Sequence, residues 1–425
     1  MKMICAPEDQ FSAPLNAGDL AVHLYGPVLG AGEVSIGATA RHVIQRRKWK
    51  PAAHAWDFLS IALSIIAADT AVRRDLSPDG WTRQIELEIA VGDPDFWNSQ
   101  RELLARQLQF LTTDIWTLTF RGGGILPVPP KKPNYLDQDC AVLLSGGLDS
   151  LIGTLDLCAE GKKPFAVSQV STGDKQTQKY FASQIGGGLG RLQLNHNVKW
   201  SSENERSQRA RSIIFFAYGV LAATAMLRYH AGKDVTLYVC ENGFISINPP
   251  LTGSRLGSLS TRTTHPYYLT LLQELFDNAG LRVKLENPCQ FLTKGEMIQQ
   301  CADQPFLTRH AHTSTSCGRY ARNGFMHCGR CLPCLIRRAA FHAAGMTDNT
   351  RYKYRDLSRD DSDHARYDDV RAAAMGVAAL KAEGLNRWAG PALSATLLGD
   401  PAPYQGVVQR GMDELGAFLS ASGVT

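Results

Sequence analysis

Ala141-Val142-Leu143-Leu144-Ser145-Gly146-Gly147-Leu148-Asp149-Ser150 is the stretch that decides the reading of this chain. Its four apolar residues predict a short buried strand. Ser-Gly-Gly predicts a turn with little side-chain bulk, and Leu148 to Ala159 carries helix-like apolar spacing. A strand feeding a glycine turn and a helix N-terminus makes an anion site. Backbone N–H groups converge there, and the helix dipole favours negative charge. The Walker pattern would end in Gly-Lys-Ser/Thr, and no such lysine is present. An ordinary strand-turn-helix corner uses the same glycines, so the weight falls on the rest of the chain.

At 425 residues the chain is long enough for two or three domains with their own cores. An apolar fraction of 44% and a charged fraction of 20% are those of a soluble globular protein. The net charge of +5 gives by itself no electrostatic case for nucleic acid, which is not expected as a partner. Met1-Lys2-Met3-Ile4-Cys5-Ala6 opens no long apolar stretch, so no signal peptide is expected and the cytoplasm is the default. Ser212 to Leu227 is uncharged and mostly apolar but shorter than the ~20 residues a bilayer needs. Arg206, Arg209, Arg211 and Arg228 flank it, and it predicts a buried helix on a sheet rather than a membrane segment.

Residues 1–130 predict a separate small α+β layer. Glu33 to Arg41 holds a short strand, Trp56 to Val72 a helix and Gln84 to Ile89 an alternating strand; Trp97 to Leu111 has helical spacing and Ile115 to Phe120 alternates again. Arg46-Arg47-Lys48-Trp49-Lys50 is either solvated surface or a contact for RNA or protein. Gly122 to Gly124 and Pro127 to Pro133 mark a linker. Strands and helices then alternate: strands at Phe165–Val170, Leu192–Val198, Val235–Val239 and Arg282–Leu285, helices at Lys175–Ile185, Glu205–His230 and Pro266–Asn278. Such alternation predicts a doubly wound parallel sheet of five strands, with ligands at the carboxyl ends of its strands. The fourth strand exits through Glu241-Asn242-Gly243 into a polar loop holding Asn248, Arg255, Ser258, Ser260, Thr261 and Arg262, which is either a substrate-binding loop or a plain connector. Arg209 and Arg211 either point at phosphates or are surface charges. Residues 346–425 predict helices, at Tyr367–Leu385 and Gly406–Leu419, with no chemistry of their own.

Four of the ten cysteines crowd into one segment: Cys317, Cys328, Cys331 and Cys334 fall as C-x10-C-x2-C-x2-C. Four thiolates at this spacing match tetrahedral zinc. An iron–sulfur cluster would also take four thiolates, but the Cys328-Gly329-Arg330-Cys331 turn looks like a zinc knuckle. Such a site has no open coordination position, so its role is structural. Cys5, Cys140, Cys158, Cys240, Cys289 and Cys301 read as buried small apolar residues.

Ser145-Gly146-Gly147-Leu148-Asp149-Ser150 resembles the PP-loop of ATP pyrophosphatases, which cleave ATP between the α- and β-phosphates. Leu292-Thr293-Lys294-Gly295-Glu296-Met297 and Cys317…Cys328-Gly329-Arg330-Cys331-Leu332-Pro333-Cys334…Arg337 follow in order. The set resembles the 7-cyano-7-deazaguanine synthase (QueC) family over roughly residues 138–345. The resemblance implies an adenine nucleotide α-hydrolase-like fold over 131–345, with an N-terminal accessory domain, 1–130, and a helical extension, 346–425. It implies ATP, Mg2+ and Zn2+ as cofactors. It places Leu144 to Ser150 and Arg209 at ATP, and Ser145, Asp149, Ser150 and Lys294 in catalysis. Glu241, Asn242, Gly243, Asn248 and Arg255 would hold the deazapurine. Lys294 can serve the phosphates, the substrate or merely the helix start.

The family converts 7-carboxy-7-deazaguanine, with ATP and ammonia, to an amide and then a nitrile. The chain departs from it in three places. Ser168-Gln169-Val170-Ser171-Thr172-Gly173 replaces a Tyr-Gly-Gln-Arg-His-like segment, Glu241-Asn242-Gly243-Phe244 replaces an Asp-Ser-Gly-Tyr-Pro-Asp-Cys loop, and both terminal regions are extra. The long form is similar to the QueC-like proteins of Qat-type anti-phage operons. That implies adenylation of a 7-deazaguanine carboxylate and attack by an amine, with operon-encoded proteins as partners. Nitrile synthesis, and a non-catalytic nucleotide-binding scaffold, are the alternatives. A thiolating PP-loop enzyme would need a cysteine pair outside the zinc site and a basic face, and neither is apparent in the sequence.

Overall fold

Two parallel sheets grow from the strand–helix alternation, and one almost wholly apolar helix lies between them. The computed structural model describes residues 2–11, 15–16, 18–26, 33–171, 173–200, 202–252, 262–357, 369–393 and 399–424. The first sheet contains β1 (Lys2–Ala6), β2 (Leu20–Leu24), β3 (Val34–Ile36), β4 (Gln84–Ala90) and β5 (Ile115–Arg121). Helices α1 (Ala38–Arg46), α2 (Ala53–Ala71), α3 (Pro94–Ser99) and α4 (Arg101–Thr112) connect them. The strand order is β5-β4-β1-β2-β3, all parallel, and Lys199–Trp200 adds antiparallel to β3. The small α+β layer expected from the sequence is therefore a parallel α/β sheet, and a strand from beyond residue 130 completes its edge. The predicted helix over Trp97–Leu111 is two helices.

The second sheet is the five-stranded doubly wound one expected. Its elements are β6 (Cys140–Leu143), α5 (Leu148–Ala159), β7 (Pro164–Gln169), α6 (Lys175–Gln184) and β8 (Arg191–Leu194). After β9 (Lys199–Trp200) come α7 (Ile213–Thr224), α8 (Leu227–His230) and β10 (Val235–Tyr238). Then follow α9 (Gly243–Ile247), α10 (Pro266–Asn278) and β11 (Val283–Glu286). The order β11-β10-β6-β7-β8 is parallel throughout. It reverses direction between β6 and β10, and such switch points open a ligand crevice at the carboxyl ends of the strands.

The single helix predicted over Glu205–His230 is broken at both ends. Residues 205–212 leave the helical path because two carboxylates, that of Asp69 buried, take up N–H groups there and tie the segment to Arg74. Asp69 accepts Ala210 N at 2.8 Å, and Glu205 accepts Arg74 N at 2.8 Å and Ser207 N at 2.7 Å. Near the other end Met226 is extended, φ −78° and ψ 145°, where Leu136 donates to Ala225 O and accepts from Leu227 N. The helical core that survives, α7, packs on α2 and on β6, β7 and β10. Its burial accounts for the uncharged run in the sequence. One apolar cluster runs through both sheets, and no described helix is long and apolar enough to cross a membrane.

The remaining helices are α11 (Lys294–Gln300), α12 (Gln304–His310), α13 (Leu332–Ala343), α14 (Asp369–Glu383), α15 (Leu385–Leu393) and α16 (Ala402–Ala421). The last three share an apolar cluster with α13 and with Phe244 and Ile247 of α9. The tail thus packs against elements that bear on the site.

Candidate active site

The glycine turn is held in shape by its own serines. Ser145 N donates to Ser150 Oγ at 3.2 Å, the two hydroxyls lie 3.0 Å apart, and Gly147 N donates to Ser145 Oγ at 3.2 Å. Ser150 Oγ also donates to Gly147 O at 3.1 Å. Gly146 sits at φ 89°, a conformation that favours glycine. Gly147 leads into α5, whose first N–H groups, at Leu148 and Asp149, have no protein acceptor among the described residues. The strand-two exit fixes the loop from behind: Ser168 Oγ donates to Leu144 O at 2.6 Å and Gln178 Nε2 to Ser145 O at 3.0 Å. Leu144 itself is buried beneath the turn.

Asp149 is the centre of a buried charged cluster. Its carboxylate pairs with Lys294 Nζ and accepts Asn242 Nδ2 at 2.6 Å and Asn242 N at 3.3 Å. Lys294 and Asp149 are each 5% exposed. Although burial acts against it, the Lys294 cation and these donors hold the Asp149 carboxyl below the usual carboxylate range. Glu241 shares the site and goes the other way: burial, then the Asp149 charge, pushes its carboxyl well above that range. The sequence thus places a strand-one helix, a strand-four exit and the start of α11 around one carboxylate.

Each of these groups has a local cause. Asn242 caps α9 by accepting Ile245 N at 3.0 Å, and Gly243 is required because a Cβ there would lie 2.1 Å from Gln290 O. Thr293 caps α11 in a capping box with Glu296, which sets Lys294 at the first helical position. Glu414 of α16 accepts the Thr293 hydroxyl and Gly295 N, and Arg410 pairs with Glu296 at 2.6 Å. Glu414, Ser168 and Gln178 were not predicted as site residues. Only contacts distant in sequence reveal them, and the tail read as lacking chemistry supports Lys294.

The four cysteines converge as expected. Their sulfurs all lie within 4.8 Å of one another, with Cys317 and Cys331 at 3.8 Å and Cys328 and Cys334 at 4.0 Å. A zinc tetrahedron with ~2.3 Å Zn–S bonds has sulfurs ~3.8 Å apart, so the set fits zinc. All four are buried, and Arg319, Cys328 and Cys331 N–H groups donate to the sulfurs. Fully buried Arg337, one turn after Cys334, donates to Ser314 Oγ at 2.8 Å, Ser316 Oγ at 3.1 Å and Ala311 O at 2.6 Å. The segment so fixed touches the glycine turn: Thr315 N donates to Gly146 O at 2.9 Å. The metal loop is thereby tied to the phosphate-type loop.

Three expected ligand-binding residues fall outside this constellation. Arg209 does not face the glycine turn. Its guanidinium donates to Thr112 O at 2.9 Å and Thr113 Oγ1 at 3.0 Å and stacks on Trp81, because Asp69 draws this segment into the first sheet. Asn248 is the left-handed C-cap of α9, φ 50°, a backbone role. Arg255 and the loop's Ser258, Ser260 and Thr261 lie outside the described residues. Glu241, with its carboxyl pushed up, is a poor ligand for Mg2+, which leaves Asp149 as the acidic oxygen donor at the turn. Asp149 already serves Lys294 and Asn242, so the site fits an ion held mainly by nucleotide phosphates.

A cavity of about 210 Å³ opens beside the loop, between Leu143, Ser145 and Ser150 on one wall and Val239, Cys240 and Glu241 on the other. Phe215, Phe216, Thr263 and Thr264 complete it. It is smaller than the ~300–1,000 Å³ of whole-ligand pockets. A larger groove of about 720 Å³, lined by α10, Glu286 to Pro288, Gln290 and Tyr404, includes none of the turn residues. Cys289 lies against Cys240, so a cysteine pair does adjoin the cleft. Hydrogen bonding to Cys240 and burial push the Cys289 thiol up, the opposite of what a sulfur-transferring thiolate needs.

Comparison with known proteins adds identity to this geometry. The family model described as "Queuosine biosynthesis protein QueC" matches residues 264–345, a span holding Lys294 and the four cysteines. The 7-cyano-7-deazaguanine synthase of Rhizobium etli (strain CFN 42) is 45% identical over 186 residues, covering 41% of this chain and 67% of that protein. That of Rhizobium etli (strain CIAT 652) is 44% identical over 187 residues, with the same coverage. That of Paracoccus denitrificans is 33% identical over 99 residues, 22% of this chain and 39% of that protein.

Proposed function

We propose that this chain, which belongs to the 7-cyano-7-deazaguanine synthase (QueC) family, uses ATP to activate the carboxylate of a 7-deazaguanine and passes the acyl group to an amine. The observation that carries the reading is the Asp149–Lys294–Asn242–Glu241 cluster, set between the glycine turn and the sheet's switch point. A carboxylate is a poor acyl donor because its leaving group would be oxide. Attack of its oxygen on the α-phosphorus forms an acyl adenylate and releases pyrophosphate. An amine then forms the C–N bond, loses a proton and releases AMP. Gly146, Gly147 and the α5 N-terminus receive the departing pyrophosphate, and Mg2+ bound with it supplies further positive charge. Lys294, fixed on Asp149 in the first turn of α5, brings a cation to the turn. This is catalysis by positioning and electrostatics.

The acceptor sets the biological role. A role in anti-phage defence, with the amine on an operon-encoded partner protein, rests on the long form of the chain and on its departures at Glu241 to Phe244. The relatives' name favours a second reading, in which ammonia is the amine and the amide goes on to 7-cyano-7-deazaguanine. Mass spectrometry of the zinc-loaded protein with ATP, Mg2+ and 7-carboxy-7-deazaguanine separates the two. AMP with nitrile, in ammonia, supports the synthase. AMP or adenylate without nitrile, and added mass on a partner, supports the acyl transfer. No AMP under any condition sinks both.

A further inference from the structure

Positive charge is dense in one segment of the sequence, although within it Arg330 and Arg337 are buried and Arg319 pairs with Asp369. Residues 314–357 hold eight Arg and Lys against two Asp, a balance of +6. The whole chain is +5, so all other residues together carry −1. Within this region Arg351-Tyr352-Lys353-Tyr354-Arg355 runs beside the metal loop. Lys353 N donates to His327 O at 2.9 Å and Tyr354 N to Cys328 O at 3.1 Å. Exposure alternates along this segment, which bends at Lys353. Tyr352 and Tyr354 pack on the cysteines, while Arg351, Lys353 and Arg355 are exposed and have no ion pair among the described residues. Just before the paired His327 stand Phe325, 49% exposed, and Met326, 39% exposed. Phe325 is left-handed, φ 60°, which a bulky residue rarely adopts. A Cβ on Gly173, at the exit of β7, would meet its ring at 2.7 Å.

We propose that this strip docks a single-stranded nucleic acid, its phosphates on Arg351, Lys353 and Arg355 and a base on Phe325. Arg351, Lys353 and Arg355, exposed at alternate positions, make a short cationic track. A cationic track beside an exposed aromatic face is how sequence-tolerant single-strand binding is built. An acidic peptide would satisfy the cations and leave the strained, exposed ring without a role. The strip is joined to the glycine turn through the metal loop: Lys353 N donates to His327 O, Ser316 N to His327 Nε2 at 3.1 Å, and Thr315 N to Gly146 O. The net charge of the chain does not reveal this, since the three cations of the strip are averaged with a remainder that sums to +2. The inference does not depend on the acyl-transfer reading.

The test is fluorescence anisotropy of the full, zinc-loaded chain with a labelled thymidine oligonucleotide of about 16 nucleotides, across a salt series. Three phosphate contacts predict a slope of log affinity against log salt of about −2 for a single strand. The triple variant R351Q/K353Q/R355Q, changed only at exposed side chains, should flatten that slope. Phe325→Gly, which suits the left-handed backbone, should bind about tenfold more weakly with the slope kept. Zinc content and melting temperature confirm that both variants fold. No binding at low salt, or an unchanged slope in the triple variant, overturns the proposal. So does poly-glutamate competing as well as the oligonucleotide, which would assign the strip to an acidic protein.

Discussion

Replacing Lys294 by Met removes the one cation paired with Asp149 among the described residues and leaves a carboxylate 5% exposed beside a second carboxyl group. Breaking a buried pair in this way costs ~3–5 kcal/mol. Asp149 would keep the Asn242 bonds at 2.6 and 3.3 Å, so the lower end, ~3 kcal/mol, is expected. Asp149→Asn alone strands the lysine instead and should cost a similar ~3 kcal/mol. The double variant removes both charges and should lose far less than the sum, a coupling of at least ~2 kcal/mol. Urea unfolding of the four zinc-loaded proteins, followed by tryptophan fluorescence, measures the cycle. Additivity within ~0.5 kcal/mol would refute the reasoning, because it would mean that the pair is not coupled in the folded protein. AMP formation should be lost in all three variants, including the double variant that regains stability. That split separates the cluster's structural role from its chemical one.

Three further outcomes follow from the same site. Glu241 has its folded pKa raised, so its contribution to stability is present below the ordinary carboxylate range and is lost as pH rises through the raised value; Asp149, lowered, contributes above that range and loses this only in acid. Glu241→Gln keeps a neutral donor and removes the alkaline loss, so its melting temperature relative to the parent should climb with pH. Chelation of zinc, or Cys331→Ser, should release the Thr315–Gly146 contact and abolish AMP formation along with the ~10–16 kcal/mol that a structural zinc can supply; metal content and calorimetry check this. Glu414→Ala takes two partners from the start of α11 and should cost ~1.5–3 kcal/mol and slow AMP formation, whereas Glu414→Gln, which keeps an acceptor, should recover most of the rate.

The glycine turn, α5 and α10 were legible because their signals are local: a four-residue apolar run, a Ser-Gly-Gly break and a period of 3.6. The four cysteines were legible from spacing, since two-residue gaps in one knuckle already bring thiols together. Non-local contacts were not legible. Residues 205–212 carry no glycine or proline to announce a break, yet Asp69, far away in the chain, unwinds them by taking Ala210 N. The same capture carries Arg209 away from the expected phosphates. β1 and β2 are short and flanked by polar turns, and nothing in Lys2–Ala6 or Leu20–Leu24 signals that both lie inside a parallel sheet. Glu414 stands more than a hundred residues from the threonine it holds.

The first sheet is finished by a strand made long after it. Residues 2–121 supply five of its strands, but the β3 edge is capped only by Lys199–Trp200, and α2 is covered by Ile213–Thr224. On the ribosome the chain must wait for about a hundred more residues, roughly 5–20 s at ordinary elongation rates, with an apolar helix and an open strand edge exposed. Nascent chains arrested before residue 200 should therefore be strong chaperone clients and readily cleaved by protease. Those arrested well after residue 224 should be neither. The two halves share a fate during synthesis, and a gene cut at the Pro-rich linker would yield fragments that each lack part of the other's core.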